Sequence, residues 1–174
     1  MTGKSSKFNL RVEANLENLS VISSFVSEAM KQVKQLVAAA PNALEPQMEL
    51  GRCLQARAEK DPAKYDEAIN QWVKIRNFLF AVRKKYITEY CEVNYNAAWC
   101  LYAQAYQTQE NIPKRVNDAI SLLKSALVLN EKLSGPDMVE KYRVLLETLQ
   151  KFLQDSGGAA PAAAPAATPA PQTQ

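Results

Sequence analysis

From Lys64 to Gln109 the chain contains neither proline nor glycine, and this uninterrupted stretch limits what it can fold into. Tyr65, Ala68, Ile69, Trp72, Ile75, Phe78 and Leu79 follow one another mostly at three- and four-residue steps, the spacing of one face of an α-helix. Run on as a single rod, the stretch would span about 70 Å at about 1.5 Å per residue, too long for a globule of 174 residues. A break between Phe80 and Thr88 is therefore expected, with the two halves folded back on each other. The later half carries Ala97, Ala98 and Ala105 on one side and a row of large aromatics on the other. Its expected partner, from Asp118 to Leu127, has apolar residues at 119, 120, 122, 123, 126 and 127, a broad stripe of helical period. Small residues let a neighbouring backbone come close, so the two segments read as a tightly packed hairpin. The fold class is all-α, built of antiparallel helical hairpins.

The flanking sequence extends this pattern. Ile22, Phe25, Val26, Ala29, Val33, Leu36 and Val37 place a helix from Asn18 or Ser20 to just before Pro41, because the residue preceding a proline is pushed out of the helical region. Pro46 belongs to the first turn of a helix that reaches about Glu59, and Asp61-Pro62 starts the next. The polar run from Gln107 to Pro113 reads as a loop before a helix from about Lys114 to Asn130. Gly135-Pro136-Asp137 opens the last helix, striped by Met138, Tyr142, Leu145, Leu146, Leu149 and Phe152. Residues 1–17, where Phe8, Leu10, Val12 and Ala14 alternate with polar residues, read as an N-terminal arm or one short strand. Residues 18–155 form the helical domain. Residues 156–174, rich in Ala and Pro, read as a disordered tail with too little apolar bulk to offset the entropy of ordering.

Composition excludes more than it assigns. Histidine is absent, which removes the imidazole base of Ser-His and Cys-His catalysis and the commonest transition-metal ligand. The three cysteines, Cys53, Cys91 and Cys100, have no CxxC spacing and read as reduced core thiols. No catalytic residue, metal site or cofactor is expected, and no small-molecule substrate. The net charge of +3 is small and partly local, in Arg83-Lys84-Lys85 and in Lys4 and Lys7, which makes no strong case for nucleic acid or an anionic membrane as the partner. No apolar run reaches the roughly 18 residues of a membrane span, and no apolar leader follows Met1 to Lys7. A cytoplasmic protein without membrane insertion is the expectation.

Two sets of residues repeat. Ala29, Val33, Leu36 and Pro41, followed by Leu50, Gly51 and Leu54, have the spacing with which the second helix of a tetratricopeptide repeat runs into the first helix of the next. Asn96, Ala98, Leu101 and Tyr102, followed by Ala119, Leu123 and Ala126, make a second set. On these residues the chain resembles the tetratricopeptide-repeat family from about residue 20 to 152. It departs from the family in longer turns near Asp61 and Asn111, and in closing a repeat with proline only at Pro41, where Phe80 and Glu131 stand later. The resemblance implies a TPR-like right-handed superhelix of about six helices with a C-terminal capping helix. It also implies a partner-binding concave face made by the first helix of each repeat. Tyr95, Trp99, Tyr102 and Tyr106 would then line a groove suited to a peptide, the alternative being that these rings pack against the last helix.

In the first repeat the same face carries Met48 and Arg52, with Glu45 and Gln55. Met48 stands where chaperone-binding members have a clamp lysine, so a carboxylate clamp is not expected. The function implied is a non-catalytic adaptor that binds a peptide or helix of another protein, with self-association left open. The alternatives are a structural subunit of a larger assembly and a helical nucleic-acid-binding protein. A second, shorter resemblance covers about residues 7 to 34, where Phe8 to Leu19 and the following helix are similar to the opening of anti-sigma-factor serine kinases. That family's Glu/Asn helix and glycine-rich lid do not follow Pro41, so ATP binding is not expected.

Overall fold

The computed structural model describes residues 27–130 and 132–157. Among them there are six helices and no strand: α1 at residues 27–39, α2 Leu44–Lys60, α3 Tyr65–Phe80, α4 Ile87–Thr108, α5 Ile112–Leu129 and α6 Pro136–Asp155. The N-terminal arm or strand, the start of the first helix at Asn18 or Ser20, and the Ala/Pro-rich stretch from 158 onward lie outside the described residues. Of the segment similar to serine kinases only residues 27–34 are described, and they are helical.

Each boundary has a local cause. α1 ends ahead of Pro41, with the Ala40 amide closing on Leu36 O at 2.9 Å. α2 is stopped at Asp61, whose carboxylate accepts from the Ala63 amide at 3.2 Å and so caps the 3-10 turn Pro62–Lys64 that leads into α3. The break after Phe80 involves no proline or glycine. The buried stripe of α3 runs out at Leu79 and resumes only at Tyr90 and Cys91. Between them, turns close Val82 on Leu79 and Lys85 on Val82 (3.0 and 2.9 Å) before Tyr86 leaves helical geometry. With no core left to cover, nothing holds the helix straight.

The α4–α5 connection is shorter than the sequence implies. Only Gln109 to Asn111 intervene, and the helix begins at Ile112, not Lys114. Gln109 and Asn111 both adopt left-handed backbone (φ 56° and 51°), a region that asparagine tolerates better than most residues. Arg115 holds the corner by donating to Thr108 Oγ1 at 3.1 Å and Glu110 O at 2.6 Å. Before α6, the Asn130 side chain donates to Leu133 O (2.7 Å) and accepts from the Lys132 amide (3.1 Å). This holds Leu133 buried at a left-handed φ of 47°.

Successive helices alternate in direction. Arg76, late in α3, donates to Asn94 Oδ1, early in α4, at 3.0 Å. At the opposite end Gln104 of α4 donates to Asp66 of α3 at 2.9 Å. Helices α4 and α6 run parallel, since Tyr142 pairs with the start of α4 and Phe152 with its end. Helix α4 is the centre of the bundle, packed on α3, α5 and α6. Its alanines 97, 98 and 105 and those of α5, 119 and 126, are all buried, and the two helices pack on each other.

The α2–α3 contact is built differently, around one large ring in a small gap. Trp72 is fully buried over Gly51, and a Cβ placed there would lie 2.8–2.9 Å from three ring atoms. Its indole N–H donates to Gln55 Oε1 at 3.1 Å. Alongside, the Gln71 amide donates to Gln47 Oε1 at 2.7 Å, and Gln47 donates to Pro41 O at 2.9 Å. These buried amides satisfy one another and set the register of the two helices.

Candidate functional site

Helices α2, α4 and α6 run in one direction and meet along α4. On one side of α4, a polar groove of about 270 Å³ is lined by Arg52, Gln55, Ala56 and Glu59 of α2 and by Glu92 and Asn96 of α4. Arg52 crosses it. Its Nη2 and Nε donate to Glu92 Oε1 at 2.7 and 3.2 Å, and its Nη1 pairs with Glu49. The hydrogen bond to Glu92 is the main reason the guanidinium pKa is raised above its ordinary value, with desolvation working against it. The cation is already matched by two carboxylates, so the groove offers no free charge with which to grip an anion.

Around α4 from Asn96 the surface becomes aromatic. Tyr95 and Trp99 are half-buried, Tyr102 likewise, and Tyr106 is 58% exposed. The rings form a ladder with α6. Tyr95 lies 6.1 Å from Tyr142, Trp99 5.7 Å from Tyr102, and Tyr102 meets Phe152 edge-on at 5.5 Å. Tyr106 lies 6.0 Å from Tyr102 and 5.8 Å from Phe152. Burial pushes the Tyr95 and Tyr102 phenol pKa values up, so at neutral pH both keep the proton they could donate.

The residues that the repeat reading put on one face are thus divided. Arg52 lies in the polar groove, and Tyr95, Trp99, Tyr102 and Tyr106 form the aromatic ladder. Met48 belongs to neither: it is 2% exposed, in the core beneath α2, and this corrects its assignment to the partner-binding face. The reason is angular, since Met48 shares the buried side of α2 with Gly51 and Leu54 whereas Arg52 is turned one step outward. Sequence reasoning missed Glu92 and Asn96. Their four-residue spacing on the aromatic helix was a usable signal, but only once α2 was known to lie beside α4.

Cys91 and Cys100 are fully buried, and burial pushes their thiols up to about 11 and about 12. Cys53 is half-buried and also raised, by burial first and then by Glu49. Thiols so shifted stay protonated and unreactive near neutrality. Among the described residues no group of three or more Cys, Asp or Glu is placed to hold a metal ion, and no helix is long and apolar enough to cross a membrane. Comparison of the chain with protein families, with curated proteins and with solved structures finds no match.

Proposed function

We propose that the protein is a non-catalytic adaptor that holds an extended peptide or a helix of a partner protein along α4. The arrangement is a tetratricopeptide-like one, in which α2–α3 and α4–α5 are the repeats and α6 the capping helix. The observation that carries the reading is the half-open aromatic ladder. Tyr106 is 58% exposed and Trp99 half-buried, while Tyr95 packs on Tyr142 and Tyr102 on Phe152 of α6. Rings held this way give a partner large contact area with few torsions left to freeze, and each has an O–H or N–H for the partner's backbone. The adjoining groove extends the surface with the side-chain amides of Gln55 and Asn96. Its one cation, Arg52, faces Glu49, Glu92 and Glu59 and leaves the groove net negative, so the partner recognised is not an acidic tail.

The test is affinity capture with the full chain and with a Trp99→Ala, Tyr106→Ala variant. Tyr106 is 58% exposed and Trp99 half-buried against the core, so thermal unfolding is measured alongside, and Tyr106→Ala alone serves where the double variant is destabilised. A protein retained by the parent and lost with the variant, through a segment that also binds as a synthetic peptide, is the expected result. Identical captures from both forms would remove the ladder from the binding surface.

A further inference from the structure

The end of the bundle at the α3–α4 connection has a character the adaptor reading does not use. Phe78, Phe80 and Val82 are 51%, 48% and 41% exposed, whereas the other exposed residues of α3, Asp66, Glu67, Asn70, Lys74 and Asn77, are all polar. At about 100° per residue Phe78 and Phe80 lie on opposite sides of the last turn of α3, Phe78 beside the corner at Pro41 to Leu44, and Val82 follows in the turn beyond. From Ala68 to Thr88 there is no acidic residue, while Lys74, Arg76, Arg83, Lys84 and Lys85 fall within that span.

Of these cations, Arg76 is held by Asn94. Arg83 folds back over the Phe80 ring at 4.3 Å and caps Phe80 O, and Lys85 lies 5.1 Å from the Tyr86 ring centre. None of the five forms an ion pair among the described residues. The alternation of helices brings the C-terminus of α5 to this same end, where Val128 is 86% and Leu129 42% exposed.

We propose that this tip is a peripheral docking surface for an anionic lipid bilayer, with the apolar side chains dipping into the interface and the lysines and arginine set against the headgroups. Charge complementarity selects an anionic surface, and the apolar groups select a bilayer over other anions. Val82, Val128 and Leu129 have no ring on which a base could stack, and one face of Phe80 is already covered by Arg83. An exposed aliphatic side chain at Val82 followed directly by Arg83, Lys84 and Lys85 matches the layered chemistry of hydrocarbon below phosphate. The surface lies at the bundle end and the aromatic ladder along its flank, so the inference does not depend on the adaptor reading.

The experiment is co-sedimentation of the full chain with vesicles of phosphatidylcholine alone and of phosphatidylcholine containing phosphatidylserine. The parent should bind the anionic vesicles in a salt-sensitive way and leave the neutral ones. Each cation near such a surface contributes about fivefold in affinity, so Lys84→Glu with Lys85→Glu should weaken binding about 20-fold or more. Phe78→Ser with Phe80→Ser should weaken it by about 10-fold, and because all four side chains are at the surface both variants should melt with the parent. Absence of binding, equal binding to neutral vesicles, or indifference to either variant overturns the proposal. So does tighter binding to a single-stranded oligonucleotide than to vesicles, or self-association that is lost with the phenylalanine variant.

Discussion

Gly51 shows how one residue decides a helix pair. In an exposed helix interior, replacing glycine by alanine gains up to about 1 kcal/mol. Here the added Cβ would meet the Trp72 ring at 2.8–2.9 Å, and that ring is pinned by full burial and by its hydrogen bond to Gln55. Gly51→Ala should therefore destabilise the protein by about 1 to 3 kcal/mol through overpacking, measured by urea unfolding. A gain in stability would mean the indole can slide aside and that the α2–α3 gap is looser than drawn. The sequence marked Gly51 as a repeat position and Trp72 as a core residue. That the two oppose each other depends on the register of α2 against α3, set by the Gln47–Gln71 amides, and no periodicity within either helix encodes that register.

At the scale of the helix, α4 has two working sides that its sequence displayed and a third that it did not. The alanine side was legible because small residues at helical spacing have one main use, and Ala98 of α4 and Ala119 of α5 are both fully buried in helices that pack on each other. Ala98→Leu or Ala119→Leu should each cost about 1 to 3 kcal/mol. Stability within 0.5 kcal/mol of the parent, a threshold about the size of ordinary surface effects, would show that the hairpin has room to spare. The aromatic side was legible as a row but not as a ladder, since Phe152 and Tyr142 belong to a helix some forty or more residues away along the chain. The polar side, with Glu92 and Asn96, became visible only through its neighbour. Trp72 is fully buried and Trp99 is not, so iodide should quench one of the two indoles in the native protein, and Trp99→Phe should abolish the quenchable component. Equal protection of both indoles would close the ladder to any partner.

For the molecule as a whole, the boundaries that proline, glycine and aspartate punctuate were read nearly to the residue, whereas the unpunctuated break was placed only within the span Phe80 to Thr88, where it falls. The exception was the α4–α5 corner, which two left-handed residues shorten. A chain without histidine, whose buried ionisable groups include two thiols, should also respond to pH on the alkaline side. Cys91 and Cys100 lie in the core, and burial pushes them from an ordinary 9.0 up to about 11 and about 12. The native state therefore holds these protons more tightly than the unfolded chain does. The stability this represents is fully present below about pH 9, where both states are protonated, and is lost as pH rises through the native values. At about 1.4 kcal/mol for each pH unit over which one extra proton is held, several kcal/mol should disappear between pH 9 and 12. Urea unfolding from pH 7 to 11 should show a flat plateau in the thiol contribution and then a fall. Cys91→Ala with Cys100→Ala should lower the plateau through lost packing and reduce the alkaline slope. The same slope in parent and variant would mean the thiols ionise as readily folded as unfolded, and that water reaches the face of α4 drawn here as core.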